Sequence, residues 1–312
     1  MPLDPQIQVL LDQLAASGGP PLDDMAPTEA RQLFKMIALL DGEPEPVDRV
    51  ADRPIAGPAG DIPVRIYHPT SAPTGVLVWY HGGGWVIGDL DTHDVVCRRV
   101  TNGADAVVVS VDYRLAPEHP FPAAVEDCWA ALRWVHEHAS ELTERDGVVP
   151  LAVGGDSAGG NLAAVIAQKA AASGAPELSM QILVYPVTDC TLSHPSMEEN
   201  GEGYVLTRDS MVWFVDHYVG RDGDLKDPLV SPLYATDLDG VAPAVVVTAE
   251  FDPLRDEGEA YAERLRQAGV PVELSRYDGM IHGFFALATI TPRALEASNA
   301  AAAALRRAFT AG

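Results

Sequence analysis

A chain of 312 residues, 47% hydrophobic and 21% charged, is long enough for a large buried core and too apolar for general disorder. Its 45 acidic against 21 basic residues give a net charge of −24, which repels polyanions and so excludes nucleic acid and anionic membrane surfaces as partners. The three cysteines, Cys97, Cys128 and Cys190, are odd in number and widely spaced, which predicts free thiols in a reducing cytoplasm, with no disulfide framework and no metal cluster. The acidity itself reads as a well-solvated surface, with tolerance of high salt as the sharper alternative. Met1-Pro2-Leu3-Asp4-Pro5 lacks the basic start and apolar core of a signal peptide, and no apolar run reaches the length of a membrane span. Along the chain, residues 1–45 read as two short helices. Asp4 caps the first, with Pro5 in its first turn and Ile7, Leu10, Leu11 and Leu14 on one face. Thr28 is the expected cap of the second, which carries Leu33, Phe34, Ile37 and Leu40.

After the break at Gly42–Pro46 the pattern becomes strands alternating with helices. Val64–Tyr67 alternates like a half-buried strand. The runs 76–80, 106–111, 151–153, 182–185 and 244–248 are continuously apolar, as expected of strands covered on both faces, and Val272-Glu273-Leu274 opens a last one. Helical stretches fall near 93–102, 123–138, 159–172, 257–268 and 293–309. This alternation predicts an α/β fold with a mostly parallel central sheet flanked by helices. The interval between Tyr185 and Val241 breaks the rhythm with loop signals and one clear helix, near Arg208–Tyr218, and reads as an insertion placed over the sheet.

Gly155-Asp156-Ser157-Ala158-Gly159 is a Gly-x-Ser-x-Gly run, which about one chain in ten of this length carries by chance. Its setting is more specific: an apolar strand before it and the helix-forming Asn161–Ile166 after it make the strand–turn–helix of a nucleophile elbow. Ser157 is the predicted nucleophile, with the helix start aiming free N–H groups at developing negative charge. His81-Gly82-Gly83-Gly84 follows the strand ending at Tyr80 and is an oxyanion-loop motif. The expected oxyanion donors are the N–H groups of Gly83, Gly84 and Ala158, with His81, Gly82 and Asp156 in support; the absence of a Lys after the glycines argues against a phosphate loop.

Of the nine histidines, His282 in Asp278–Phe284 is the best candidate base, because Gly279 and Gly283 suit a loop carrying the ring over a sheet edge. His81 fits a structural role in the oxyanion loop. His136 and His138 face different ways on a helix, and His68, His93, His119, His194 and His217 read as surface or structural. Asp252, at the C-terminal end of a strand, is the best acid, with Glu250, Asp256 and Asp278 as competitors. The order Ser157, Asp252, His282 is the one expected of an α/β-hydrolase fold.

These residues, with Trp85–Leu90, Asp112–His119, Gly154–Leu162, Asp252–Asp256 and Ile281–Phe284, make nearly the whole chain resemble the bacterial hormone-sensitive-lipase family (family IV) of carboxylesterases. The resemblance implies an α/β-hydrolase core at 46–186 and 241–312, with a helical cap made of residues 1–45 and the inserted 187–240. It implies hydrolysis of small-molecule esters with short to medium acyl chains, through an acyl-enzyme and without a cofactor, by a monomer or homodimer. It also implies that Asp112–Pro117 buttresses the oxyanion loop, with pairing of Asp112 and Arg114 as one means. An amidase or peptidase shares the same triad and stays open. A non-catalytic receptor on the fold is disfavoured by the presence of His282. Tyr204, Val205, Leu206, Met211, Val212, Trp213 and Phe214 are divided between an acyl pocket and cap packing in a way the sequence leaves open.

Overall fold

The computed structural model describes residues 2–311. One eight-stranded sheet organises the chain, in the order β1 (Arg49–Gly57), β2 (Gly60–His68), β4 (Val107–Val111), β3 (Val76–Tyr80), β5 (Leu151–Asp156), β6 (Met180–Val184), β7 (Ala244–Phe251), β8 (Val272–Ile281). From β4 to β8 every pairing is parallel; β1 and β2 form an antiparallel hairpin at one edge. The apolar runs are the parallel strands because both their faces are covered. Val76, Val78 and Tyr80 of β3 enter one core layer, and Leu77 and Trp79 enter the other. The first layer is closed by α4 (Ala123–Thr143), α5 (Ala158–Ser173) and α8 (Arg255–Gln267), and the second by α3 (Asp94–Ala104) and α9 (Pro292–Thr310).

Three sequence expectations need correction. β1 was not expected: seven of its nine positions, Arg49 to Pro54 and Ala56, are exposed, so this edge strand has neither an apolar run nor an alternation to betray it. The second helix, α2 (Pro27–Ala38), begins before Thr28, with Ala26 at the cap position. Pro27 fills the first helical site, and the Glu29 carboxylate accepts the Ala26 N–H at 3.1 Å. Gly279 lies inside β8, not in a loop, where its φ of +77° falls at the break in the β7–β8 register; Gly283, at φ +83°, is the left-handed residue after the strand. The cap by Asp4 on α1 (Pro5–Ser17) forms as expected, with Oδ1 accepting the Gln6 N–H at 2.8 Å.

The segments that depart from the alternation are tied to the sheet by polar contacts. Arg31 of α2 donates to the carbonyls of Val86 (2.8 Å) and Ala116 (3.0 Å), and Asp41 pairs with the buried Arg99 of α3 at 2.7 Å. The 187–240 stretch contains α6 (Pro195–Glu199) and α7 (Arg208–Tyr218). Asn161 of α5 donates to the carbonyls of Val187 and Val230 at 2.9 Å each, holding both ends of that stretch. The buried Glu257 carboxyl accepts the N–H groups of Thr188 (2.8 Å) and Asp189 (3.2 Å). Among the described residues no helix is long and apolar enough to cross a membrane.

Candidate active site

The site sits at the C-terminal ends of β3, β5, β7 and β8, where a parallel sheet delivers its loops. Ser157 occupies the single-residue turn between β5 and α5 with φ 55° and ψ −119°, a strained conformation for a residue with a side chain. Backbone bonds hold it there: its N–H donates to the Val184 carbonyl at 2.8 Å and its carbonyl accepts from Asn161 N–H at 2.9 Å. The turn can be this tight because Gly159 packs its Cα against the Tyr80 carbonyl, in a space any side chain would fill.

The structure brings Ser157, His282 and Asp252 together from positions far apart in the chain. His282 Nε2 lies 3.0 Å from Ser157 Oγ, and His282 Nδ1 lies 2.8 Å from Asp252 Oδ2. The hydrogen-bond network assigns the ring proton to Nδ1, leaving Nε2 to accept from the hydroxyl. Asp252 is fully buried, and its second oxygen accepts the Leu254 N–H at 2.8 Å, which fixes the carboxylate plane. The competing carboxylates are occupied elsewhere. Glu250 accepts the Gly279 N–H at 2.7 Å, Asp256 pairs with Arg255 at 2.8 Å, and Asp278 is exposed.

The glycine loop lies against the same pocket. Gly83 and Gly84 have φ of +116° and +56°, open to glycine and disfavoured for other residues. Among the described residues the N–H groups of Gly83, Gly84 and Ala158 have no acceptor, so three donors stand free beside Ser157. His81 is wholly buried, stacks on Tyr113 at 4.3 Å between ring centres, and bonds through Nδ1 to the Gly82 carbonyl at 2.9 Å. Tyr113 OH donates to the His81 carbonyl at 2.7 Å, so the 112–117 segment does buttress the loop, though not by the expected pair: Arg114 binds Asp127 at 2.8 Å.

Burial, aided by the neighbouring His93, pulls the His81 pKa down from 6.5 to about 4. As pH falls, the unfolded chain takes up this proton first and the folded protein does not, so stability is lost across that window. His81→Gln removes the term. The stability gap between the wild type and this variant is expected to narrow by about 3 kcal/mol at most between about pH 7 and about pH 4.5 in guanidinium melts. A gap that stays constant or widens contradicts it.

The contacts that sequence reasoning missed concern His93 and Asn200. His93 is buried and lies 3.1 Å from the Asp156 carboxylate. Asn200 donates to the carbonyl of Asp252 at 3.3 Å, bracing the acid from α6's end. Neither has a local motif, because each partner is more than fifty residues away in the chain.

Above Ser157 is a pocket of about 180 Å³, lined mainly by apolar side chains. Leu10, Leu14, Leu22, Phe34 and Ile37 come from the N-terminal segment, and Val205, Leu206 and Phe214 from the inserted one. Met211 and Tyr218 turn into the core instead. Among the described residues no group of acidic, histidine and cysteine side chains is arranged to hold a metal.

A family profile described as the alpha/beta hydrolase fold matches residues 77–286. The chain is 46% identical to the carboxylesterase NlhH of Mycobacterium tuberculosis, over 98% of this chain and 96% of that protein. The chain belongs to the hormone-sensitive-lipase-type carboxylesterase family of the α/β-hydrolase superfamily. The carboxylic ester hydrolase LipN of the same organism is 47% identical, over 97% of this chain and 82% of that protein. Among solved structures, an ester hydrolase from the metagenome of Lake Arreo, complexed with a bipyridine phosphonate derivative, superposes with a TM-score of 0.93 at 42% identity, covering 98% of this chain and 99% of that one. The similarity to NlhH and LipN extends over 97–98% of this chain, beyond the residues that the profile matches.

Proposed function

We propose that this protein hydrolyses small, hydrophobic carboxylic esters of short to medium acyl chain, with Ser157 as nucleophile, His282 as base and Asp252 as its orienting acid. The observation that carries the reading is the unbroken hydrogen-bond chain Asp252–His282–Ser157 at the floor of an apolar pocket. His282 Nε2 takes the Ser157 proton as Oγ attacks the carbonyl carbon. The resulting oxyanion is received by the N–H groups of Gly83, Gly84 and Ala158. His282 then gives its proton to the leaving alcohol, and an acyl-enzyme remains. Water, deprotonated by the same ring, attacks the acyl carbon; the free acid leaves and Ser157 regains its proton. Asp252 holds the ring tautomer and steadies the imidazolium throughout.

Residues 1–45 and 187–240 act together as the cap, because both supply the apolar wall above Ser157. The three buried, unbridged cysteines support a reducing cytoplasm as the working compartment, and the enzyme acts as a monomer or homodimer. Pocket size sets the chain length. A dry cavity of about 150 Å³ takes up benzene, so about 180 Å³ suits acyl groups of about four to eight carbons. A panel of p-nitrophenyl esters is expected to peak in that range, and the p-nitroanilide of the best acid is expected to turn over far more slowly. A maximum at palmitate overturns the size argument. An anilide rate matching the ester rate would identify an amidase.

A further inference from the structure

The buried His93 and the part-buried Asp156, on the pocket wall, form a pair that the three-residue chemistry does not use. His93 Nε2 lies 3.1 Å from Asp156 Oδ1, and its Nδ1 lies 2.9 Å from Thr92 Oγ1. Burial disfavours charge on both groups. On His93 the charge and hydrogen bond of Asp156 outweigh burial and raise its pKa; on Asp156 the facing His93 outweighs burial and lowers it. The directions agree on an ion pair of imidazolium and carboxylate. Lys35 and Asp89, joined at 2.6 Å, and the neutral His81 ring, 5.5 Å from His93 between centres, complete the polar surroundings.

The pair converges on one backbone atom. The Gly82 N–H donates to Asp156 Oδ1 at 3.1 Å; the protonated His93 Nε2, 3.2 Å from the same nitrogen, donates to the carboxylate and so holds that acceptor in place. Glycine is required there because a side chain would collide with the Asp156 carboxylate. The next peptide unit joins the Gly82 carbonyl to the Gly83 N–H, and the plane is rigid. His81 Nδ1 grips that carbonyl at 2.9 Å, which turns the Gly83 N–H the opposite way. Both peptide planes flanking Gly82 are therefore held by side chains, which sets the Gly83 N–H; the next plane, carrying the Gly84 N–H, is held by backbone, its Gly83 carbonyl accepting from the N–H groups of Val86 (3.1 Å) and Ile87 (2.9 Å). An ion pair largely withdrawn from water is a costly way merely to fill space, since apolar residues of like volume are often as stable or more so.

We propose that His93 and Asp156 are positioning residues for the oxyanion site, acting through the Gly82 N–H. The proposal rests on the reading that Gly83 and Gly84 are oxyanion donors. Its effect therefore belongs in the transition state and not in substrate binding.

The test uses the full-length enzyme and p-nitrophenyl butyrate, with an alkyl trifluoromethyl ketone as the probe of tetrahedral-adduct affinity. Active sites are counted by phosphonate titration, so that only folded enzyme is compared. His93→Gln and Asp156→Ala are expected to lower kcat by about 10- to 100-fold, leave KM within about threefold, and weaken ketone binding in the same ratio as kcat. Asp156→Asn keeps an oxygen for the Gly82 N–H and is expected to recover much of the loss, and it serves where the alanine variant does not fold. An effect carried only by charge on His282 would move the acid limb of kcat/KM in opposite directions in His93→Gln and Asp156→Asn, and that result overturns the proposal. Gly83→Ala separates the two readings. If it loses kcat and ketone affinity while the His93 and Asp156 variants match the wild type, positioning is wrong and the oxyanion reading stands. If Gly83→Ala keeps both, the oxyanion reading itself is wrong.

Discussion

Ser157→Ala is expected to lower kcat for p-nitrophenyl butyrate by about five to six orders of magnitude, to the level left by binding and oxyanion contacts alone. It is also expected to abolish covalent labelling by an organophosphonate. The size follows from the absence of a substitute: Oγ is the atom 3.0 Å from His282 Nε2, and without it the base has no nucleophile to activate. The fold should tolerate the change. The backbone bonds that hold the elbow, to Val184 and Asn161, do not involve the hydroxyl, and alanine bears the same strain at φ 55° as serine does. The melting temperature is therefore expected to stay near that of the wild type, which makes the loss a chemical one. Retained labelling, or activity within a hundredfold of wild type in a preparation free of contaminating esterase, would remove Ser157 from the mechanism.

What could be read from the sequence follows from how local each signal is. The strands β3 to β7 announce themselves because burial on both faces demands consecutive apolar residues, as in Val107–Val111. β1 hides because it faces solvent, and its nine pairings with β2 depend on backbone groups that carry no side-chain code. The elbow and the glycine loop are legible because each compresses its chemistry into four or five adjacent residues. His282 and Asp252 are legible as loop residues at strand ends, although the distance between them is a tertiary fact. His93 is not legible at all. Its sequence neighbours give no hint of Asp156, 63 residues away, and the contact exists only because β3 and β5 are paired in parallel, bringing Gly82 beside the end of β5. The Asp112–Arg114 pairing failed for a related reason: proximity in sequence favoured Asp112, while Asp127 on α4 offers a buried carboxylate in the right direction for a two-pronged contact. The inserted segment is sorted only in part by helical spacing. On α7, Ser210 and Phe214, four apart, line the pocket and Met211 packs inward; Val205 and Leu206 reach the pocket from before the helix, and Tyr218 at its end stacks on Trp85 instead.

Asp252→Asn is the second large effect, expected at about 10⁴-fold in kcat with KM nearly unchanged. The wild-type carboxylate accepts from His282 Nδ1 at 2.8 Å and from the Leu254 N–H at 2.8 Å. An asparagine satisfies the Leu254 N–H with its carbonyl oxygen, which leaves its amide NH₂ facing His282. Two donors cannot share that contact, so the ring shifts its proton to Nε2 and presents an N–H to Ser157 where a lone pair is needed. The base is lost without any loss of packing, and phosphonate labelling slows by the same factor as kcat. The buried site cannot simply hydrate the mismatch, because Asp252 has no solvent exposure. The neighbouring acids give the control. Asp256→Asn, which breaks only the contacts to Arg255 and Ser196, is expected to stay within about tenfold of wild type. Should Asp252→Asn fall by less than about tenfold, or Asp256→Asn fall further than it, the acid of the triad has been assigned to the wrong carboxylate.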